Sequence, residues 1–284
     1  MRDVEQPGAD APQADHIRFL FDPYATLGAL AGQRRRFGAA VETLSADELE
    51  APSRCDGWTV ADVLRHGVWV DATMRTIWSG DESLAEGFDP RTTPDAAVRA
   101  DRAVPDEEIR RRYLSSTEAM IVELESPGPE RLGRPSLSPA GRVPWWMSAV
   151  HLGWDSTIHE RDVLAPLDRT VEATAGETIP ALAYSLVLAS FFSGRAPLEV
   201  RIDTVRLRCG SGPVTASTVE PTENGDGGGT LGHDAGSVLR GDPVQIIDAL
   251  SGRLAPDEAL HGDVALIGRL GGLARYFTST PSTT

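Results

Sequence analysis

Residues 151–162 read His-Leu-Gly-Trp-Asp-Ser-Thr-Ile-His-Glu-Arg-Asp, and they restrict the fold more than any other stretch. His151, Asp155, His159 and Asp162 recur at steps of four, four and three. On an α-helix those steps stack all four side chains on one face. The same segment carries Trp145, Trp146, Met147, Val150, Leu152, Trp154, Ile158, Val163 and Leu164. A helix this apolar around its circumference is a buried one. Leaving its histidines and aspartates unpaired inside would be strongly unfavourable. They need a partner, and a divalent metal suits a carboxylate and an imidazole at i and i+4. A plain hydrogen-bonded carboxylate–histidine pair shows the same spacing, so spacing alone leaves both readings open.

A second helix supplies a facing candidate. Thr59 and Asp62 form a capping box, and the helix they open runs to about Trp78 and closes at Ser79-Gly80. Its inward line is Val63, His66, Val70, Met74 and Ile77. A lone histidine in such a stripe is ordinarily a satisfied core residue. Opposite a helix whose polar face lacks a ligand, His66 becomes a candidate for one. His66, Asp155 and His159 would give three protein ligands, the pattern that leaves a zinc position open for water or substrate. His151, one turn earlier, is the candidate fourth ligand of a closed site. The preferred role for His151 and Asp162 lies outside the ligand set, hydrogen-bonding a ligand or an incoming cosubstrate.

The 284 residues suffice for two modest domains or one large one. A formal charge of −15 argues against nucleic acid or an anionic membrane as the main partner. Two cysteines, Cys55 and Cys209, make no disulfide framework and fit a reducing, cytoplasmic setting. The first residues contain no apolar core of a signal peptide, and no apolar run is long enough to span a bilayer.

Residues 1–19 read as disordered and 278–284 as a flexible tail. A helix is expected over Pro23–Leu44, with the run Arg34-Arg35-Arg36 as a solvated flank. Residues 80–104 read as loop, Asp106–Glu125 as a helix, and a Pro/Ser/Gly-rich linker follows. Four helices within residues 20–170 have the size and rhythm of a four-helix bundle, in which metal sites form between facing helices. Residues 171–277 change character to α+β. They comprise a helix over Glu177–Phe192, an alternating strand over Leu198–Cys209 with a partner over Val214–Val219, a strand at Ser237, and helices over Pro243–Ser251 and Asp263–Phe277. The segment Asn224-Gly-Asp-Gly-Gly-Gly reads as a flexible turn, because no strand–Gly–Lys–helix context makes it a phosphate loop.

The run Cys55-Asp-Gly-Trp-Thr-Val-Ala-Asp-Val-Leu-Arg-His66 resembles the opening motif of the DinB-like, mycothiol-dependent maleylpyruvate isomerase family. Asp155-x-x-x-His159-x-x-Asp162 resembles that family's central run. Val238-Leu-Arg-Gly, Leu250-Ser-Gly-Arg253 and Leu260-His-Gly-Asp263 are similar to its second domain. The resemblance implies an N-terminal DinB-like metal-binding bundle followed by a smaller α+β domain. It implies a divalent metal, usually zinc, on His66, Asp155 and His159, and mycothiol as a thiol cosubstrate. The carboxylate position is often Glu in the family and is Asp155 here, one methylene shorter. Arg253 stands at the family's L-x-G-R position and is a candidate to hold an anionic substrate group, with an interdomain salt bridge as its bland alternative; Arg240 is second choice. Cys55 is read as packing, and neither cysteine as a nucleophile. The resulting expectation is a metal-dependent thiol S-transferase acting on a small electrophile, as a monomer or homodimer. Maleylpyruvate cis–trans isomerisation is the alternative, and a non-catalytic metal-binding stress or regulatory module is the alternative from another class.

Overall fold

The computed structural model describes residues 17–83, 86–192, 198–202, 205–209, 214–218 and 237–271. In chain order the elements are β1 (Ile17–Phe19), α1 (Pro23–Glu42), α2 (Ala46–Glu50), α3 (Val60–Ser79), α4 (Thr93–Ala100), α5 (Asp106–Glu125) and α6 (Pro129–Leu132). There follow β2 (Pro135–Ser138), β3 (Gly141–Pro144), α7 (Trp145–Leu164), α8 (Ala175–Phe192), β4 (Leu198–Ile202), β5 (Val205–Cys209), β6 (Val214–Thr218) and β7 (Ser237–Leu239). The described chain closes with α9 (Pro243–Leu250), α10 (Pro256–Ala259) and α11 (Val264–Leu270). The protein is thus α+β, with α1–α8 preceding the strands β4–β7 and α9–α11 following them. No helix among the described residues is long and apolar enough to cross a membrane.

The first two long helices, α1 and α3, begin on side-chain caps. Asp22 caps α1, its Oδ1 accepting from the backbone N–H groups of Tyr24 and Ala25, with Pro23 in the first turn. Thr59 caps α3 through the N–H of Asp62, and the Asp62 carboxylate accepts from the N–H of Thr59, a pairing whose loss costs about 1 kcal/mol. Gly80 ends α3 at φ 103°, in the left-handed region where a side chain would be strained.

α1, α3, α5 and α7, each twenty residues long, pack in a ring: α1 and α3 each lie against both α5 and α7. Phe37, Val41, Leu64, Ile109, Tyr113 and Val163 fill one end of this bundle. The other end, with Leu30, Met74, Met120, Trp145 and Val150, continues without a break into α8 and the sheet. On α7, Gly153 lets α1 approach closely, since a Cβ there would overlap the buried Leu30 side chain. α8 packs on α1 and α7 on one side and on β5, β6, α9 and α11 on the other. That double contact explains why Ala181–Ala189 is apolar on nearly every face. The sheet order is β1-β6-β5-β4-β7, with β4–β5 and β5–β6 antiparallel and β1–β6 and β4–β7 parallel.

Several expectations change. Residues 17–19, read as disordered, form β1, pairing Ile17 with Val214, because Ile17 and Phe19 have an apolar core to enter. Residues 80–104 contain α4, and the Pro/Ser/Gly-rich linker folds as the antiparallel β2–β3 hairpin. The single strand over 198–209 is two strands paired to each other. Residues 1–16, the 224–229 segment, Phe277 and the tail lie outside the described residues.

The arginine run is the main correction. Leu27, Leu30, Arg34, Phe37 and Val41 step by three and four, so Arg34 falls on the buried stripe of α1. It pairs with Asp71 of α3, their side chains 3% and 1% exposed, and Ser116 donates a further hydrogen bond to Asp71 at 2.8 Å. Arg36 bridges Glu160 of α7 and Glu177 of α8 at 2.7–2.9 Å. Arg35 alone is a solvated flank, 56% exposed beside Glu125.

Candidate metal centre

The two histidine-bearing helices meet as α3 packs on α7. The Nε2 atoms of His66 and His159 both face Oδ1 of Asp155, at 3.5 and 3.6 Å. The two imidazole rings lie 4.7 Å apart, tilted by 72°. One donor atom from each of the three residues falls within 4.8 Å of the other two.

These spacings are long for hydrogen bonds. They are close to the separation of donors around one tetrahedral zinc, roughly 3.3 Å for bonds of about 2.0–2.1 Å. The electrostatics fit a cation. Burial opposes charge on Asp155, yet the positive charge of His159 and His66 holds its carboxyl well below the usual range. Burial also opposes a proton on His159, but the charge of Asp155 and the hydrogen bonds to Asp162 and Cys55 raise it well above an ordinary histidine. His66, under the same burial and with Asp155 as only partial compensation, is pushed down. The site therefore draws one positive charge to the space between Asp155 and its histidines, and a divalent cation meets the same demand.

Outside that triad, the structure is dominated by Asp162, whose side chain is fully buried. Its Oδ2 accepts from Nδ1 of His159 at 3.0 Å, from the Cys55 thiol at 3.1 Å and from Nη2 of Arg253 at 2.7 Å. Its Oδ1 accepts from Nε of Arg253 at 3.3 Å. The carboxylate–histidine contact fixes which ring nitrogen of His159 is left to bind, the usual supporting arrangement around a metal-binding imidazole. Asp162 thus touches a candidate ligand, and its buried carboxylate is engaged by Arg253, His159 and Cys55. His66 has no such support: its Nδ1 is buried without a hydrogen-bond partner among the described residues.

His151 is not part of the three-residue cluster. Its ring lies between Trp154 and Tyr184, with centroids at 5.8 and 5.3 Å, and its Nδ1 is also unpartnered. Burial pushes its pKa down to about 4 despite the charge of nearby Asp155.

Arg253 reaches across from the turn after α9. Besides Asp162, it donates to the Ser251 carbonyl at 2.7 Å and lies 3.4 Å from Cys55 Sγ. Its fork grips the protein, and its side chain is 20% exposed. Cys55, read as packing, does pack against the apolar end of the bundle, and its thiol also touches this polar cluster. Cys55, His159 and Asp162 also lie close enough to share an ion, but the Arg253 guanidinium already supplies the positive charge there. Arg240 is exposed, its backbone bridging to His261. Trp58 and Trp69 flank the His66 ring at 5.4 and 5.8 Å, and Phe88 stacks on Trp69 at 6.3 Å.

Residues 30–164 match the family described as "Mycothiol maleylpyruvate isomerase N-terminal domain". That segment contains all three residues of the cluster. Two solved structures share the fold. One is a crystal structure of the mycothiol-dependent maleylpyruvate isomerase, with a TM-score of 0.56 and 11% identity over 86% of this chain and 93% of that one. The other is a histidine-to-alanine variant of an enzyme of the same description, with a TM-score of 0.55 and 12% identity over the same shares. No curated protein matches the sequence.

Proposed function

We propose that this chain, whose residues 30–164 match the mycothiol maleylpyruvate isomerase N-terminal domain family, is a metal-assisted, thiol-dependent enzyme acting on a small unsaturated electrophile. Cis–trans isomerisation fits the family better than net S-transfer, so isomerisation stands first and maleylpyruvate is its narrowest substrate. The observation that carries the reading is the convergence of two Nε2 atoms from separate helices on one oxygen of Asp155.

His66, Asp155 and His159 would hold the cation, with zinc the best match to two imidazoles and one carboxylate. Bound there, it supplies thiol activation, because a coordinated thiol is present as thiolate at neutral pH. Asp162 orients His159 by accepting from its Nδ1. Trp58 and Trp69 cover the flanks of His66 and keep water from them. Mycothiol is the thiol that the family's description names. Isomerisation needs the thiol only transiently: it adds to a carbon of the double bond, the resulting single bond turns, and the thiol leaves unchanged. An anionic group on the substrate can reach only the exposed edge of Arg253.

The test uses the full chain loaded with zinc, given mycothiol and maleylpyruvate, with products followed by mass spectrometry. The expected product is the trans isomer with free thiol recovered. A stable thiol adduct would assign S-transfer instead, and neither product, across a panel of electrophiles, would leave a metal-binding module. His66→Ala and His159→Ala should each abolish zinc retention and turnover while preserving the helical circular dichroism. Retained turnover in either would overturn the ligand assignment.

A further inference from the structure

We infer that Arg253 is a positioning residue: through Asp162 it sets the orientation of His159, and so couples docking of the C-terminal segment to occupancy of the metal centre. The inference rests on the proposed cation site and assigns the arginine a task other than substrate binding.

The geometry has one direction of reach. Arg253 belongs to the turn after α9, and its backbone N–H donates to the Asp248 carbonyl at 2.8 Å. Its Nε and Nη2 take both oxygens of Asp162, a bidentate grip that fixes the plane of the carboxylate. The same Asp162 oxygen that receives Nη2 also receives Nδ1 of His159. Rotation of that carboxylate would release the imidazole, and Asp162 itself has no freedom to be held by solvent. A neighbouring link, Arg161 to Asp248 at 2.6–3.1 Å, joins α7 to α9 without touching Asp162. Arg54 also crosses this seam, reaching Asp248 at 3.1 Å and lying 3.9 Å from Oδ1 of Asp162. Among the described residues, Arg253 is the arginine bonded to the Asp162 oxygen that His159 shares.

Coupling of this kind is reciprocal. If Arg253 prepares the site for a cation, the cation must in turn hold the turn at residues 251–253 more firmly. Partners that orient a metal-binding histidine are worth about 10–100-fold in metal affinity.

The experiment measures zinc affinity of the metal-free full chain by competition with a chromogenic chelator. Arg253→Met should weaken zinc binding about 10–100-fold. Asp162→Asn should weaken it similarly, and the double variant should be little worse than either single, because the two act through one contact. Arg161→Met breaks the seam elsewhere and should leave zinc affinity within about twofold if the Arg253 route is specific. Amide exchange at Gly252 and Arg253 should slow when zinc is added to wild type. Wild-type affinity in Arg253→Met would overturn the inference, as would equal losses in Arg253→Met and Arg161→Met. The His159 Nδ1 proton signal is read in the metal-free proteins, so it is independent of zinc. It should be present in wild type and lost in Arg253→Met. Should wild type bind no zinc, the proposed function fails, while this signal still decides whether Arg253 orients His159.

Discussion

Two of this protein's arginine–aspartate pairs, Arg34–Asp71 and Arg253–Asp162, do different work. Arg34–Asp71 lies inside the bundle, both side chains nearly inaccessible, and among the described residues Ser116 alone shares the carboxylate. Arg253–Asp162 lies at the seam between α7 and the turn after α9, and its carboxylate is shared with a histidine and a thiol. The first pair makes no hydrogen bond to the histidines of the cluster among the described residues, so its main consequence is stability. The second holds a group whose orientation has chemical meaning. Identical residue types therefore give different roles according to what else the aspartate touches.

The sharpest way to break this comparison is Arg34→Met. It leaves Asp71 charged and buried without its counter-ion, and unfolding in urea should show a loss of about 3–5 kcal/mol. Arg34→Met with Asp71→Leu should recover most of that, since a packed apolar pair replaces a buried ionic one at little net cost. A loss below about 1 kcal/mol in the single variant would show that the interior pair is solvated.

His151 extends the contrast to a partly buried ionisable group whose Nδ1 has no hydrogen-bond partner among the described residues. Its folded pKa, lowered by burial to about 4, lies below the unfolded value of about 6.5. Between those values the unfolded chain binds the proton that the native state refuses. Stability therefore falls as pH drops from about 6.5 to 4, by up to about 3 kcal/mol. His151→Phe should flatten that slope in thermal melts taken across this window, and an unchanged slope would remove His151 as its source.

The smallest effect belongs to Arg35, the exposed neighbour of Arg34 in sequence. Arg35→Ala should change stability by no more than about 0.5 kcal/mol, because an exposed pair such as Arg35–Glu125 contributes little. A larger loss would mean that position in the run, and not burial, decides the worth of these arginines.

The same residues show what could be read in the sequence. His66, Asp155 and His159 were legible because the helical period places chemically unusual side chains on stripes that are otherwise apolar. Arg34 obeyed the same period, yet the adjacent Arg35 and Arg36 made it look like part of a charged surface. The approach of Arg253 to Cys55, 198 residues away, left no local trace, since no periodicity relates residues on separate elements. β1 is three residues long, too short to declare itself, and its partner β6 is nearly two hundred residues downstream.

That last pairing has a consequence for synthesis. The bundle helices can assemble while later parts of the chain are still being made, but Ile17–Phe19 must wait for Val214–Ala216 to emerge. Until then Phe19, which finally rests against Trp146 and Tyr184, has no strand to pair with. Closure between such distant stretches carries a large entropic barrier and comes late. A nascent chain arrested before residue 214 should therefore display its opening segment to proteases, and protection of that segment would mark the moment the molecule is sewn shut.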